Sequence, residues 1–105
     1  MGTKRVFTLI VEPQVEFDID DAIEFYNSKN KSLGTKFYES VRNAIRSLES
    51  HAYYEVKYDN VRTLLINKFP YMIHFTVNEK SKVVTVLAVI CCYKNPDTAY
   101  LHMNP

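Results

Sequence analysis

The sequence predicts an α+β domain of order β-α-α-β-β-β, a helical hairpin packed on one face of a small, mostly antiparallel sheet. Three observations carry this. Apolar residues recur at helical spacing from Val15 to Leu48, near-continuous apolar runs replace that period from Val61 onward, and the breaks between those runs are short enough for hairpins. The chain has 105 residues, 47% hydrophobic and 13% aromatic, enough for one core without disulfide or metal staples. Two Gly and four Pro leave little room for linkers, so a single domain is expected over residues 1–105.

Lys4 to Val11 (KRVFTLIV) is β-branched and apolar on both sides, and reads as a strand covered on at least part of each face. Its apolar run ends at Glu12-Pro13 with no small-residue cleavage site, so it is no leader peptide and a cytoplasmic protein is expected. Val15, Ile19, Ala22, Ile23 and Tyr26 then form one helical stripe, with acids on the other faces toward the N-terminal end, where they suit the helix dipole. After the polar turn NSKNKSLG, a second helix runs from Leu33 through Phe37, Val41, Ala44, Ile45 and Leu48 and stops near Ser50-His51. A turn that short makes the hairpin antiparallel.

Val61–Asn67, Tyr71–Asn78 and Val83–Tyr93 read as three strands, broken at Lys68-Phe69-Pro70 and at Asn78 to Lys82. On the middle strand Tyr71, Ile73, Phe75 and Val77 share one face, and Met72, His74 and Thr76 the other, less oily one. The last strand is almost wholly apolar, which fits a central position. No element remains to cover the second face fully, so the sheet should keep a half-open face toward a partner or substrate.

Charge narrows the function classes less than its distribution does. The 13 basic and 12 acidic residues nearly cancel, yet six acids (Glu12, Glu16, Asp18, Asp20, Asp21, Glu24) fall together on the first helix, read as a solvated acidic face. Behind it lies a moderately basic remainder, compatible with phosphate contact. No run of apolar residues is long enough for a membrane span. With glycine only at Gly2 and Gly34, no phosphate loop can be built, and neither GxSxG nor HExxH occurs. Cys91 and Cys92 are adjacent, so on a strand they point to opposite faces; they read as two reduced thiols in a buried strand, with no zinc spacing. No cofactor site is expected.

The segment DIDDAIEFYNSKNKSLGTKFYESVRNAIRSL, and above all VRTLLINKFPYMIHFTVNEKSKVVTVLAVICCYKNPD, resembles the RelE/ParE superfamily, the toxins of bacterial type II toxin–antitoxin (plasmid stabilisation) systems. The similarity runs from the first strand to about Pro96. Its most specific pieces are Arg62 before Leu64, Phe69-Pro70-Tyr71 opening a strand, and VLAV at Val86–Val89 with the exit Asn95-Pro96-Asp97. The resemblance implies growth inhibition relieved by a cognate antitoxin that wraps the domain. It leaves open whether the target is DNA gyrase or the ribosome and its mRNA, and whether the assembly is a homodimer or a heterotetramer with antitoxin. The RNA-cleaving branch commonly carries Arg at the position of Met72 and a basic residue at that of Cys92, and both are absent here. A ParE-like mode is therefore favoured, although the usual His at the last strand's exit is missing too. The alternatives are a RelE-like endoribonuclease with relocated catalytic groups and a non-toxic partner-binding module.

The candidate catalytic residues are Arg62, Lys94, Tyr100 and His102. Arg62 could hold phosphate bidentately or pair with a carboxylate across the sheet. Lys94, Tyr100 and His102, together with Tyr93, could grip a phosphate and stack a base, or belong to a solvated tail; Tyr100 matches the family's C-terminal tyrosine only after an insertion. His74 could act as acid or base, or be a hydrogen-bonded packing residue. Tyr53, Tyr54 and Tyr58 with Lys57 form either a recognition loop or one folded back on the helices.

Overall fold

The computed structural model describes residues 5–93. Lys4, Lys94, Asn95-Pro96-Asp97, Tyr100 and His102 lie outside the described residues. Strand β1 (Thr8–Val11) leads through Glu12, in extended conformation, to Pro13, the first residue of helix α1 (Pro13–Lys29). Proline's fixed φ and missing N–H suit that first position. At the helix exit Asn30 Oδ1 accepts from both the backbone N and the Oγ of Ser32, each at 3.0 Å. This side-chain turn starts α2 (Leu33–Ser47). Gly34 is buried there against the Asn27 side chain, which would have to swing aside for any Cβ at that position.

The second half forms β2 (Val56–Tyr58), β3 (Val61–Leu65), β4 (Tyr71–Asn78) and β5 (Val83–Cys91). The sheet order is β1-β5-β4-β3-β2, with β1 parallel to β5 and every other pair antiparallel. The fold class holds, with one strand more than expected. β2 pairs with β3 as an exposed edge of only three residues, too short for a periodic signal.

The core lies between the helices and one face of β4 and β5. Val15, Tyr26, Phe37 and Val41 meet Ile73, Phe75, Val84 and Val86, all fully buried. At one end Tyr26, Phe37, Phe69 and Tyr71 pack ring against ring, with centroids 5.0–6.0 Å apart. Burial pushes the Tyr26 phenol well above its ordinary pKa, with neighbouring Tyr71 adding to the shift. Tyr71 is pushed up to about 12, first by burial and then by nearby Cys91.

Three expectations fail in detail. β1 is shorter than Lys4–Val11 and mostly uncovered, with Ile10 and Val11 nearly half exposed, because it is the sheet's edge; Phe7, just before it, carries the burial. β5 is central, but its apolar run reflects a phase change rather than coverage on both faces. The register steps from His74↔Ala88 to Phe75↔Val86, leaving Leu87 as an extra, bulged residue. Val84 and Val86 face the core before the bulge and Val89 after it. β5 also ends at Cys91, so Cys91 is half-buried and Cys92 exposed instead of both being buried.

The third concerns Asp18, which does not belong to a solvated acid run. β1 pairs with β5 only as far as Val11↔Val86, and beyond that point the Val89 N–H donates to Asp18 Oδ2 at 2.9 Å. Asp18 Oδ1 accepts from Gln14 Nε2 at 3.0 Å. A helix carboxylate thus replaces the missing edge strand.

Candidate functional site

Strands β1, β3 and β5 begin at one end of the sheet, its leading end, and finish at the other, its trailing end. At the leading end Arg62 pairs in register with Phe75, a core residue, so it stands on the helix side of β3 rather than with His74. Its Nη1 donates to the Tyr54 carbonyl at 2.7 Å, and the guanidinium carbon lies 5.5 Å from the Tyr53 ring centroid. The Nε is buried without a partner. Of the two readings of Arg62, the cross-sheet ion pair is not formed: no carboxylate among the described residues pairs with it.

The other flank of Tyr53 belongs to Lys82, which sequence reasoning missed. Lys82 Nζ lies 3.4 Å from Tyr53 Oη and 5.8 Å from the centroid of the Phe7 ring. Phe7 and Tyr53 meet edge to face at 5.5 Å. Lys82 holds a left-handed φ of 57°, and its carbonyl accepts the Thr8 N–H at 2.9 Å, which pins it to the sheet end. The 51–55 segment is thus partly folded back, as Tyr54 packs at 6.2 Å on Phe75 while Tyr53 stays exposed. Lys57 is occupied by Glu55 at 2.8 Å.

On the half-open face His74 Nδ1 and Tyr58 Oη are 3.0 Å apart, tying β4 to the edge strand β2. Desolvation lowers the His74 pKa below 6.5. Next along that face, Leu65, Met72 and Ile90 align across three strands, with Leu65 58% and Ile90 47% exposed. Beside this apolar row a shallow hollow of about 360 Å³ is lined by Leu65, Phe69, Pro70, Cys92 and Tyr93, with Lys68 its one cation among the described residues. Burial, and then Cys91, raises the Cys92 thiol pKa, so the thiol stays neutral.

A larger groove of about 560 Å³ runs along the helical hairpin. Leu9, Ile19, Val41 and Ile45 form its floor, Glu16 and Asp20 one wall, and Arg42 and Arg46 the other. Among the described residues no His, Cys, Asp and Glu cluster could hold a metal, and no helix is long and apolar enough to cross a membrane.

No protein-family model matches this chain, and no curated protein does. Among solved structures it is similar to a chain of the chromosomal ParDE TA system from P. aeruginosa. That match has a TM-score of 0.74, covers 86% of this chain and 100% of the other, and carries 17% sequence identity.

Proposed function

From the ParE/RelE-type toxin fold that this chain shares with that structure, we propose that it is the toxin of a type II toxin–antitoxin pair, acting in the cytoplasm and silenced by its antitoxin. Within that reading a ParE-like mode, poisoning a protein target such as gyrase, is favoured over mRNA cleavage. One observation carries the preference. The positions where the ribonuclease branch places cations are Met72, inside an apolar row, and Cys92, a neutral thiol. Neither provides the charge that phosphoryl chemistry needs.

The hairpin groove supports the partner half of the proposal. Its apolar floor lies between an acidic and a basic wall, which suits an amphipathic segment of opposite charge pattern that orders as it docks.

Inducing the gene alone in a bacterial host, with labelled-precursor incorporation followed over an hour, tests this. The expected result is a fall in DNA synthesis with a damage response, reversed by co-expressing the protein encoded beside it. A prompt fall in protein synthesis with cleavage of ribosome-bound messages would overturn the ParE-like mode in favour of relocated catalytic groups among Arg62, Lys94, Tyr100 and His102. Unimpaired growth with soluble, folded protein would overturn toxicity and leave a partner-binding module.

A further inference from the structure

The leading end holds an arrangement that the toxin reading does not use. Two cations flank one exposed aromatic ring, Arg62 at 5.5 Å from the Tyr53 centroid and Lys82 at 3.4 Å from its hydroxyl. The acids nearest Tyr53 in the chain are engaged elsewhere, Glu49 with Arg5 at 3.4 Å and Glu55 with Lys57 at 2.8 Å. No described carboxylate pairs with either Arg62 or Lys82, so among the described residues the two cations that meet Tyr53 have no counter-ion. The Arg62 guanidinium is held through the Tyr54 carbonyl, and the backbone of Lys82, though not its side chain, by the Thr8 N–H.

We propose that Tyr53, Arg62 and Lys82 form a binding site for the phosphate group of a nucleotide. With Nη1 bonded to the Tyr54 carbonyl and Nε buried, the guanidinium is oriented in advance, and its outer N–H groups match phosphate oxygens. The ammonium supplies a second, mobile point charge suited to a dianion. Tyr53, 47% accessible, offers the attached base an aromatic ring to stack on. The apolar trailing end has no comparable set. The site stands apart from the toxin reading and does not depend on it.

The test is titration of the whole chain at low salt with 5′-AMP and, separately, with a short single-stranded RNA, followed by amide chemical shifts. Lys82→Asn is the primary variant, because Lys82 is exposed and asparagine tolerates its left-handed backbone. Tyr53→Ala and Arg62→Lys are companions, each checked for folding by its thermal melt. Binding centred on residues 53, 62 and 82, weakened about tenfold by Lys82→Asn, supports the site. If AMP binds this way the source is a free nucleotide; if only the oligonucleotide does, the source is a nucleic-acid backbone. Unchanged affinity in Lys82→Asn overturns the proposal. So does an equal loss from Lys80→Gln, a neighbouring exposed lysine, because that would mean diffuse charge rather than a built site.

Discussion

The two ends of one sheet carry opposite chemistry. At the leading end Arg62 lies over Tyr53 and Lys82 over Phe7, polar heads on two aromatic rings that meet edge to face. At the trailing end Leu65, Met72 and Ile90 stand in an exposed row, beside a hollow with one lysine. The boundary between the ends is the Leu87 bulge, where β5 changes phase. The same sheet therefore presents a cationic–aromatic cluster at one end and an exposed apolar row at the other. Where charge sits on the scaffold, and not the scaffold alone, decides which chemistry each end supports.

The comparison breaks most visibly in the stability of the two ends. Phe75 is fully buried, in register with Arg62 and against the Tyr54 ring. Phe75→Ala should cost about 3–5 kcal/mol in urea denaturation, whereas Leu65→Ala, more than half exposed, should cost less than ~0.5 kcal/mol. Comparable losses would mean that the trailing row is packed after all. Asp18→Ala comes next, at about 1.5–3 kcal/mol, because it strands the Val89 N–H beyond the end of β1. Amide exchange at Val89 and its neighbours should speed up in that variant while exchange around Arg62 stays slow. If both ends loosen together, the bulge is not a boundary between them.

Charging the trailing end sharpens the chemical half of the contrast. Met72→Arg with Cys92→Arg restores the two cations missing there. RNA binding should then become more salt-sensitive, with a log–log slope steeper by about 1.4 for two added phosphate contacts on a single strand. A slope that does not move would show that the trailing end is remote from bound RNA whatever its charge.

How much of this the chain discloses depends on period and on locality. The helical hairpin was legible because Val15 to Tyr26 and Phe37 to Leu48 repeat at helical spacing over several turns, and the β4 faces were legible from strict alternation. The β1 edge, the three-residue β2 and the bulge were not, since an edge strand and a covered strand share the same β-branched composition. Asp18 was misread for a related reason: among six neighbouring acids, nothing local marks the one that faces a strand 71 residues away. Arg62 was picked out by resemblance, but Lys82 and Phe7, which also meet Tyr53, are brought together by the parallel pairing of β1 with β5, which no local pattern encodes. Lys94, Tyr100 and His102 lie outside the described residues, so their part in any site stays a proposal.

The smallest expected effect lies between the two ends, at the Tyr58–His74 pair. Burial holds the His74 pKa below 6.5, so the folded protein disfavours the charged imidazole. Above pH 6.5 the ring is neutral in both folded and unfolded chains, and stability is fully present. As pH falls below that value the unfolded chain takes up the proton first, so stability declines until the folded pKa is passed and both states are charged. The contact with Tyr58 Oη does not set this slope. A neutral Nδ1 accepts the phenol's proton, a charged one donates to the phenol oxygen, and the 3.0 Å pair survives with its direction reversed. His74→Gln should therefore flatten the loss of stability between about pH 7 and pH 5. Tyr58→Phe should lower stability by roughly 0.5–1 kcal/mol at every pH and leave the slope in place. Denaturation curves collected across that range separate the two. A slope abolished by Tyr58→Phe would assign the proton linkage to the hydrogen bond, and a slope that outlasts His74→Gln would place it on a different group altogether.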